Sequence, residues 1–149
     1  MLIISHRGNL DGPDLLRENT QSQIIKCIDL GFDVEIDVWA NSKNNLYLGH
    51  DLPLKEIDLG FLDNYSKHLW IHCKNFKAIE LLSKYNFNYF WHENDRMTIT
   101  SKGIPWCCPN NYISNGITVV LNRHIPNQLN VLGICTDYPI EHKNILESR

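Results

Sequence analysis

The chain lacks a basic excess: 14 Lys and Arg stand against 17 Asp and Glu, a formal net charge of -3 over 149 residues. That balance excludes broad nucleic-acid binding by phosphate neutralisation, although a local basic site for one phosphate remains compatible with it. Long apolar runs are also missing, so no membrane span is expected. The apolar stretch ahead of His6 is too short for a signal-peptide core and no basic region precedes it, which points to a cytoplasmic protein without a targeting segment. Five cysteines, an odd number, include no C-x-x-C pair. This is the pattern of free thiols in a reducing compartment rather than of a disulfide framework. A zinc site on adjacent Cys107 and Cys108 is the alternative. Internal repeats and low-complexity linkers are absent too.

What is present reads as one globular domain over residues 1–149, with 43% apolar and 21% charged residues. Strand signals fall at 2–6, 33–39, 46–50, 69–74, 88–92, 104–108, 116–121 and 131–135. Helical spacing marks 18–30, with Ile24, Cys27 and Ile28 on one face and Gly31 at the C-terminal stop. An irregular helix is expected over 54–64. A further one runs from an Asn75 cap to about Tyr85, with Phe76, Ile79 and Leu82 facing inward.

Alternating strands and helices predict a parallel sheet, and eight strands predict an α/β barrel of the (β/α)8 TIM type. Such barrels usually need about 250 residues. A chain this short must therefore form a compact version with several outer helices reduced or missing. Residues 97–130, rich in Asn, Pro and Gly and without helical period, fit that expectation.

Polar residues gather at the strand ends. On 33–39, Val34, Ile36 and Val38 alternate with Glu35 and Asp37, so both carboxylates share one face. Pointing into a barrel, they would repel each other unless a divalent cation lay between them. On pattern alone, a solvent-facing acidic strand is the favoured reading. His6-Arg7-Gly8 supplies a group that titrates near neutrality, a planar fork for phosphate and a tight turn, though an ordinary loop could carry the same three residues. His50 and Lys74 close two other strand candidates. The four tryptophans read mainly as core, with stacking on a ligand as the alternative.

Taken in order, His6-Arg7-Gly8, Glu18-Asn19-Thr20, Glu35-Ile36-Asp37-Val38 and His50-Asp51 resemble the motifs of the glycerophosphodiester phosphodiesterases, within the phospholipase-C-like phosphodiesterase superfamily. Ile71-His72-Cys73-Lys74 falls where that family has a strand bearing a glutamate and a lysine. Cys135-Thr136-Asp137-Tyr138-Pro139 resembles its last strand and following turn. The resemblance implies a (β/α)8 barrel that hydrolyses a small phosphodiester. It also implies His6 and His50 as general acid and base, Arg7 on a phosphoryl oxygen, and Lys74 offsetting developing charge. Glu18 would orient the site, and Glu35 and Asp37 would hold one divalent cation, Mg²⁺ or Ca²⁺ by family.

Two departures stand out: the short chain, and His72 in place of the family's third metal-binding glutamate. An imidazole ligand there would admit Mn²⁺ or Zn²⁺. His92, Glu93 and Asp95 are further candidates, with a polar loop as the plain alternative. Two other readings use the same residues: a lyase forming a cyclic phosphate from a phospholipid headgroup, and a non-catalytic binding domain. The lyase would call for long apolar loops, which the sequence does not show. The sequence does not set the alcohol group or the oligomeric state.

Overall fold

A computed structural model describes residues 1–126 and 128–149. Strand β1 (Leu2–His6) sits at the centre of the sheet. It pairs in parallel with β2 (Asp33–Ala40) on one side and β10 (Gly133–Thr136) on the other. The parallel wall continues from β2 to β5 (Leu69–Cys73) and β6 (Tyr89–Phe90). In the other direction it runs from β10 to β9 (Ile117–Val120) and β8 (Pro105–Cys107). The ladder opens between β6 and β8. Across the opening, Ser101 N–H donates to the Tyr89 carbonyl at 2.7 Å, and the Thr98 hydroxyl donates to the Trp91 carbonyl at 2.8 Å. The architecture is a compact TIM-type α/β barrel. Its outer layer has four α-helices among the described residues, about half the usual number.

Side-chain alternation builds the two sides of the wall. Val34, Ile36, Val38, Leu69, Ile71 and Cys73 face outward and are fully or almost fully buried. They pack under α1 (Gln21–Asp29), α2 (Leu59–Tyr65) and α3 (Phe76–Leu82). Inside the barrel, Ile4, Trp70, Phe90, Trp106, Ile117 and Cys135 form a second core. A third, around Val120, Ile125 and Ile134, is covered by α4 (Pro139–Glu147) through Ile145 and Leu146.

Several expectations need correction. Segment 46–50 is not a barrel strand: β3 (Leu46–Leu48) runs antiparallel to the far end of β2, pairing Val38 with Leu48 and Ala40 with Leu46. The cause is the eight-residue length of β2, whose end projects beyond its parallel neighbours and takes back the chain after a turn at Asn41–Asn45. Within 54–64, Lys55–Ile57 is strand β4, because Ile57 buries its side chain beside β3. Helix α2 starts only where Asp58 caps it, accepting Phe61 N–H at 2.7 Å. Met97–Ile99 forms β7, antiparallel to β8, where no strand is expected. In α3 the buried stripe is Ala78, Leu81 and Leu82, which leaves Phe76 exposed and stacked on Trp91 at 5.2 Å.

Asn75 joins this helix to the sheet. Its Oδ1 accepts from Ala78 N–H at 2.9 Å and Ala40 N–H at 3.2 Å, and its Nδ2 donates to the Ala40 carbonyl at 2.8 Å. Asn75→Ala removes a cap and leaves two strand groups unpaired. The expected loss is about 2–3 kcal/mol in urea unfolding, and a loss below about 0.5 kcal/mol would contradict this reading of the cap.

Candidate active site

The site lies at the barrel end where β1, β2 and β5 finish. After β1 the chain turns through two consecutive left-handed residues, Arg7 (φ 55°) and Gly8 (φ 82°). This turn places the Arg7 side chain over the mouth and lets Arg7 N–H donate to Glu35 Oε2 at 3.2 Å. Glu18-Asn19-Thr20 then divides its tasks. Thr20 caps α1, and Glu18 pairs with Arg7 at 3.6 Å. Asn19 clamps Asp37 from both sides, donating from Nδ2 to Oδ2 at 2.9 Å and accepting Asp37 N–H on Oδ1 at 3.0 Å.

Glu35 and Asp37 project together from β2 into the interior, both buried. Burial, and then the neighbouring Asp37 charge, push the Glu35 carboxyl up from its ordinary range. Asp37 goes the other way. Burial alone would raise it, but hydrogen bonds from His50 and His72 and the Lys74 ammonium hold it well below the usual carboxylate range. The partners are close: His50 Nδ1 at 3.3 Å, His72 Nδ1 at 3.2 Å, Lys74 Nζ at 3.4 Å and Arg7 Nε at 3.4 Å.

The two histidines flank this centre. His6 Nδ1 bonds Asp137 Oδ1 at 2.8 Å, and its Nε2 faces Glu35 at 4.0 Å. Burial would lower its pKa, but the Asp137 hydrogen bond and the Glu35 charge outweigh that and raise it. His50 sits on the Asp37 side, with Nε2 at 3.0 Å from Arg7 Nη2. The tautomer that donates from Nδ1 to Asp37 and accepts from Arg7 on Nε2 meets these two contacts, and Lys74 Nζ stands 3.4 Å from the same Nδ1. His50 is held by its own loop: Trp39 Nε1 donates to the Gly49 carbonyl at 2.6 Å. Gly49, at φ 149°, has no room for a side chain, since a Cβ would lie 2.0 Å from the Leu52 carbonyl oxygen.

Glu35, Asp37 and His72 each offer a ligand atom within 4.8 Å of the others, and the group could hold a metal ion. The donor set fits one. Glu35 accepts one hydrogen bond among the described residues, from Arg7 N–H, with His6 Nε2 and His72 Nδ1 each 4.0 Å away, so its buried oxygens keep capacity for a ligand. His72 Nε2 lies 3.4 Å from the His92 carbonyl. Nδ1 donates to Asp37 when no cation is bound; with a cation between them, the ring proton would move to Nε2 and the His92 carbonyl, freeing the Nδ1 lone pair as a ligand.

All eight residues expected at the site, His6, Arg7, Glu18, Glu35, Asp37, His50, His72 and Lys74, are brought together. His92 contributes differently from expectation: its ring stacks on His72 at 4.4 Å and stands outside the acid–imidazole group. Glu93 and Asp95 are exposed. Cys107 and Cys108 are free thiols, and neither belongs to a metal-competent group among the described residues. The role of Asp137 escaped the sequence reading, as did that of Asn9, whose Nδ2 donates to Asp137 at 2.8 Å. Asp137 lay within a recognised motif, but nothing in the sequence alone tied it to His6.

No family model matches the chain, and no curated protein matches it. Among solved structures it is similar to the crystal structure of a "putative glycerophosphodiester phosphodiesterase" from Galdieria sulphuraria. The TM-score is 0.51 and the identity 12%, over 98% of this chain and 97% of that one. At that identity the likeness establishes the barrel fold. No helix among the described residues is long and apolar enough to cross a membrane.

Proposed function

We propose that residues 1–149 act as one metal-dependent phosphodiesterase domain that hydrolyses a glycerophosphodiester or a related small phosphodiester. One observation carries the reading: His6 and His50 border the Glu35–Asp37–His72 group from different sides, with Arg7 and Lys74 in the same cluster. The similarity in fold to a glycerophosphodiester phosphodiesterase-type protein from Galdieria sulphuraria agrees with it. A cation held by Glu35, Asp37 and His72 would polarise a phosphoryl oxygen and offset its charge. Arg7 presents guanidinium nitrogens to a second oxygen, and Lys74 adds charge that grows in value as the transition state forms. One histidine takes a proton from the attacking water as the new P–O bond forms. The other delivers a proton to the departing alcohol oxygen as the ester P–O bond breaks.

The same residues would serve a lyase, and one observation favours it. Leu15, Leu16, Leu52 and Leu54, on the loops that follow β1 and β3, are 61–88% exposed. Products decide between the two: ³¹P NMR of a digested phospholipid or glycerophosphodiester should show an open monoester from the start. An initial cyclic phosphate would support the lyase.

His72 sets the metal preference in this account. Imidazole suits Mn²⁺ or Zn²⁺ better than Mg²⁺ or Ca²⁺. His72→Glu should move the metal giving highest activity toward Mg²⁺ or Ca²⁺ in a metal titration. An unchanged preference would place His72 outside the ligand set.

A further inference from the structure

Two cavities meet at the acid–imidazole cluster, sharing His50, His72 and His92, and they differ in kind. One, of about 270 Å³, is bordered by Lys74, Trp91 and Glu93, so charged groups of both signs reach it. The other, of about 170 Å³, faces the carboxylates across a wall of Phe90, Trp106, Cys108, Pro109, Val119 and Leu121. That wall contains no charged side chain. Phe90 and Trp106 are buried and stack at 4.5 Å, with Trp106 also 5.7 Å from Trp70. The Phe90–Trp106 part of the wall is therefore fixed by interior packing, while Cys108 and Pro109 follow the end of β8 and Leu121 follows the end of β9. Leu121 stands at the outer lip, 42% exposed. There Pro109, Val119 and Leu121 continue into a surface cavity of about 420 Å³ whose lining mixes Tyr112, Val120 and Pro126 with polar Asn110, Asn122 and His124.

A hydroxylated or charged group placed against that wall would give up water and find few partners in return, the Trp106 indole N–H and the Cys108 thiol being its polar groups. An alkyl or aryl group would gain with each apolar atom it covers. The two ester arms of a phosphodiester held at the cluster thus meet different surroundings. Resting on the phosphodiesterase reading above, we infer that the site takes an asymmetric phosphodiester. Its polar arm lies toward Lys74 and Glu93, and its second alcohol, alkyl or aryl, lies against Phe90, Trp106, Pro109, Val119 and Leu121. A chain of more than a few carbons leaves over Leu121 along the adjoining cavity.

The test uses glycerol phosphate diesters whose second alcohol is methyl, butyl or octyl, kept monomeric and titrated calorimetrically with Mn²⁺ or Mg²⁺ present. Affinity should rise roughly three- to fourfold for each methylene that the wall covers, so butyl should bind at least about tenfold tighter than methyl. Leu121→Asp, at an exposed position, and Val119→Thr, nearly the same shape, should each shrink the butyl-to-methyl ratio. Equal binding and hydrolysis of all three esters would overturn the apolar arm and leave the phosphodiesterase reading standing. A ratio unchanged in both variants would overturn the placement of that arm. If the corresponding alkyl glyceryl ethers, lacking phosphate, bind as tightly, the phosphodiester reading fails and takes this inference with it, as it does if none of the esters binds.

Discussion

Alanine in place of His6 or of His50 is expected to lower turnover by at least about 100-fold, the lower end of what a positioned acid or base supplies. The fold should survive in both variants. His6 is partly buried, but its hydrogen bond to Asp137 can be taken over by water at the mouth, and Asn9 continues to hold Asp137. His50 is about one-third exposed and its loop is fixed through Trp39 and Gly49 rather than through the imidazole. Circular dichroism should therefore match the parent while phosphodiester cleavage collapses. Near-parental activity in either variant would remove that histidine from proton transfer.

The second large effect concerns the metal. Glu35 and Asp37 lie buried side by side; burial, and then the Asp37 charge, push the Glu35 carboxyl up. A divalent cation binding the folded chain and not the unfolded one adds about 2.7 kcal/mol at 100 times its Kd. For a chain of this size that corresponds to a rise of about 5–10 °C in Tm. The double variant Glu35→Gln, Asp37→Asn should lose the rise. A parent Tm that fails to move with Mg²⁺, Ca²⁺, Mn²⁺ or Zn²⁺ would count against a cation at this group.

The most regular sequence signals are the ones the fold follows. Strict alternation in β2 put Val34, Ile36 and Val38 under the helices and both carboxylates inside, because strand geometry leaves no other choice. His6-Arg7-Gly8 and His50-Asp51 fell at element ends where side chains converge. Pairing direction was not legible. The 46–50 segment has the apolar alternation of a barrel strand, and only the overrun of β2 makes it fold back antiparallel. The β7–β8 hairpin was hidden similarly, since Met97 and Ile99 are exposed and carry no burial pattern. Phe76 misled because an aromatic at a helix start looks like an anchor, whereas the stripe facing β2 and β5 begins at Ala78. Asp137 lies 131 residues from the histidine it orients. Nothing local in Thr136-Asp137-Tyr138 distinguishes a carboxylate that orients a distant histidine ring from one that simply caps a turn.

Metal-titrated hydrolysis of the butyl ester of glycerol phosphate, followed as release of the free alcohol, decides whether the domain is a metal-dependent phosphodiesterase. Turnover should be negligible after chelation, recover saturably on adding one divalent cation per chain, and fail to recover in the Glu35→Gln, Asp37→Asn variant. Turnover that is indifferent to chelation, or absent at every metal concentration in a chain that binds the cation, would contradict it.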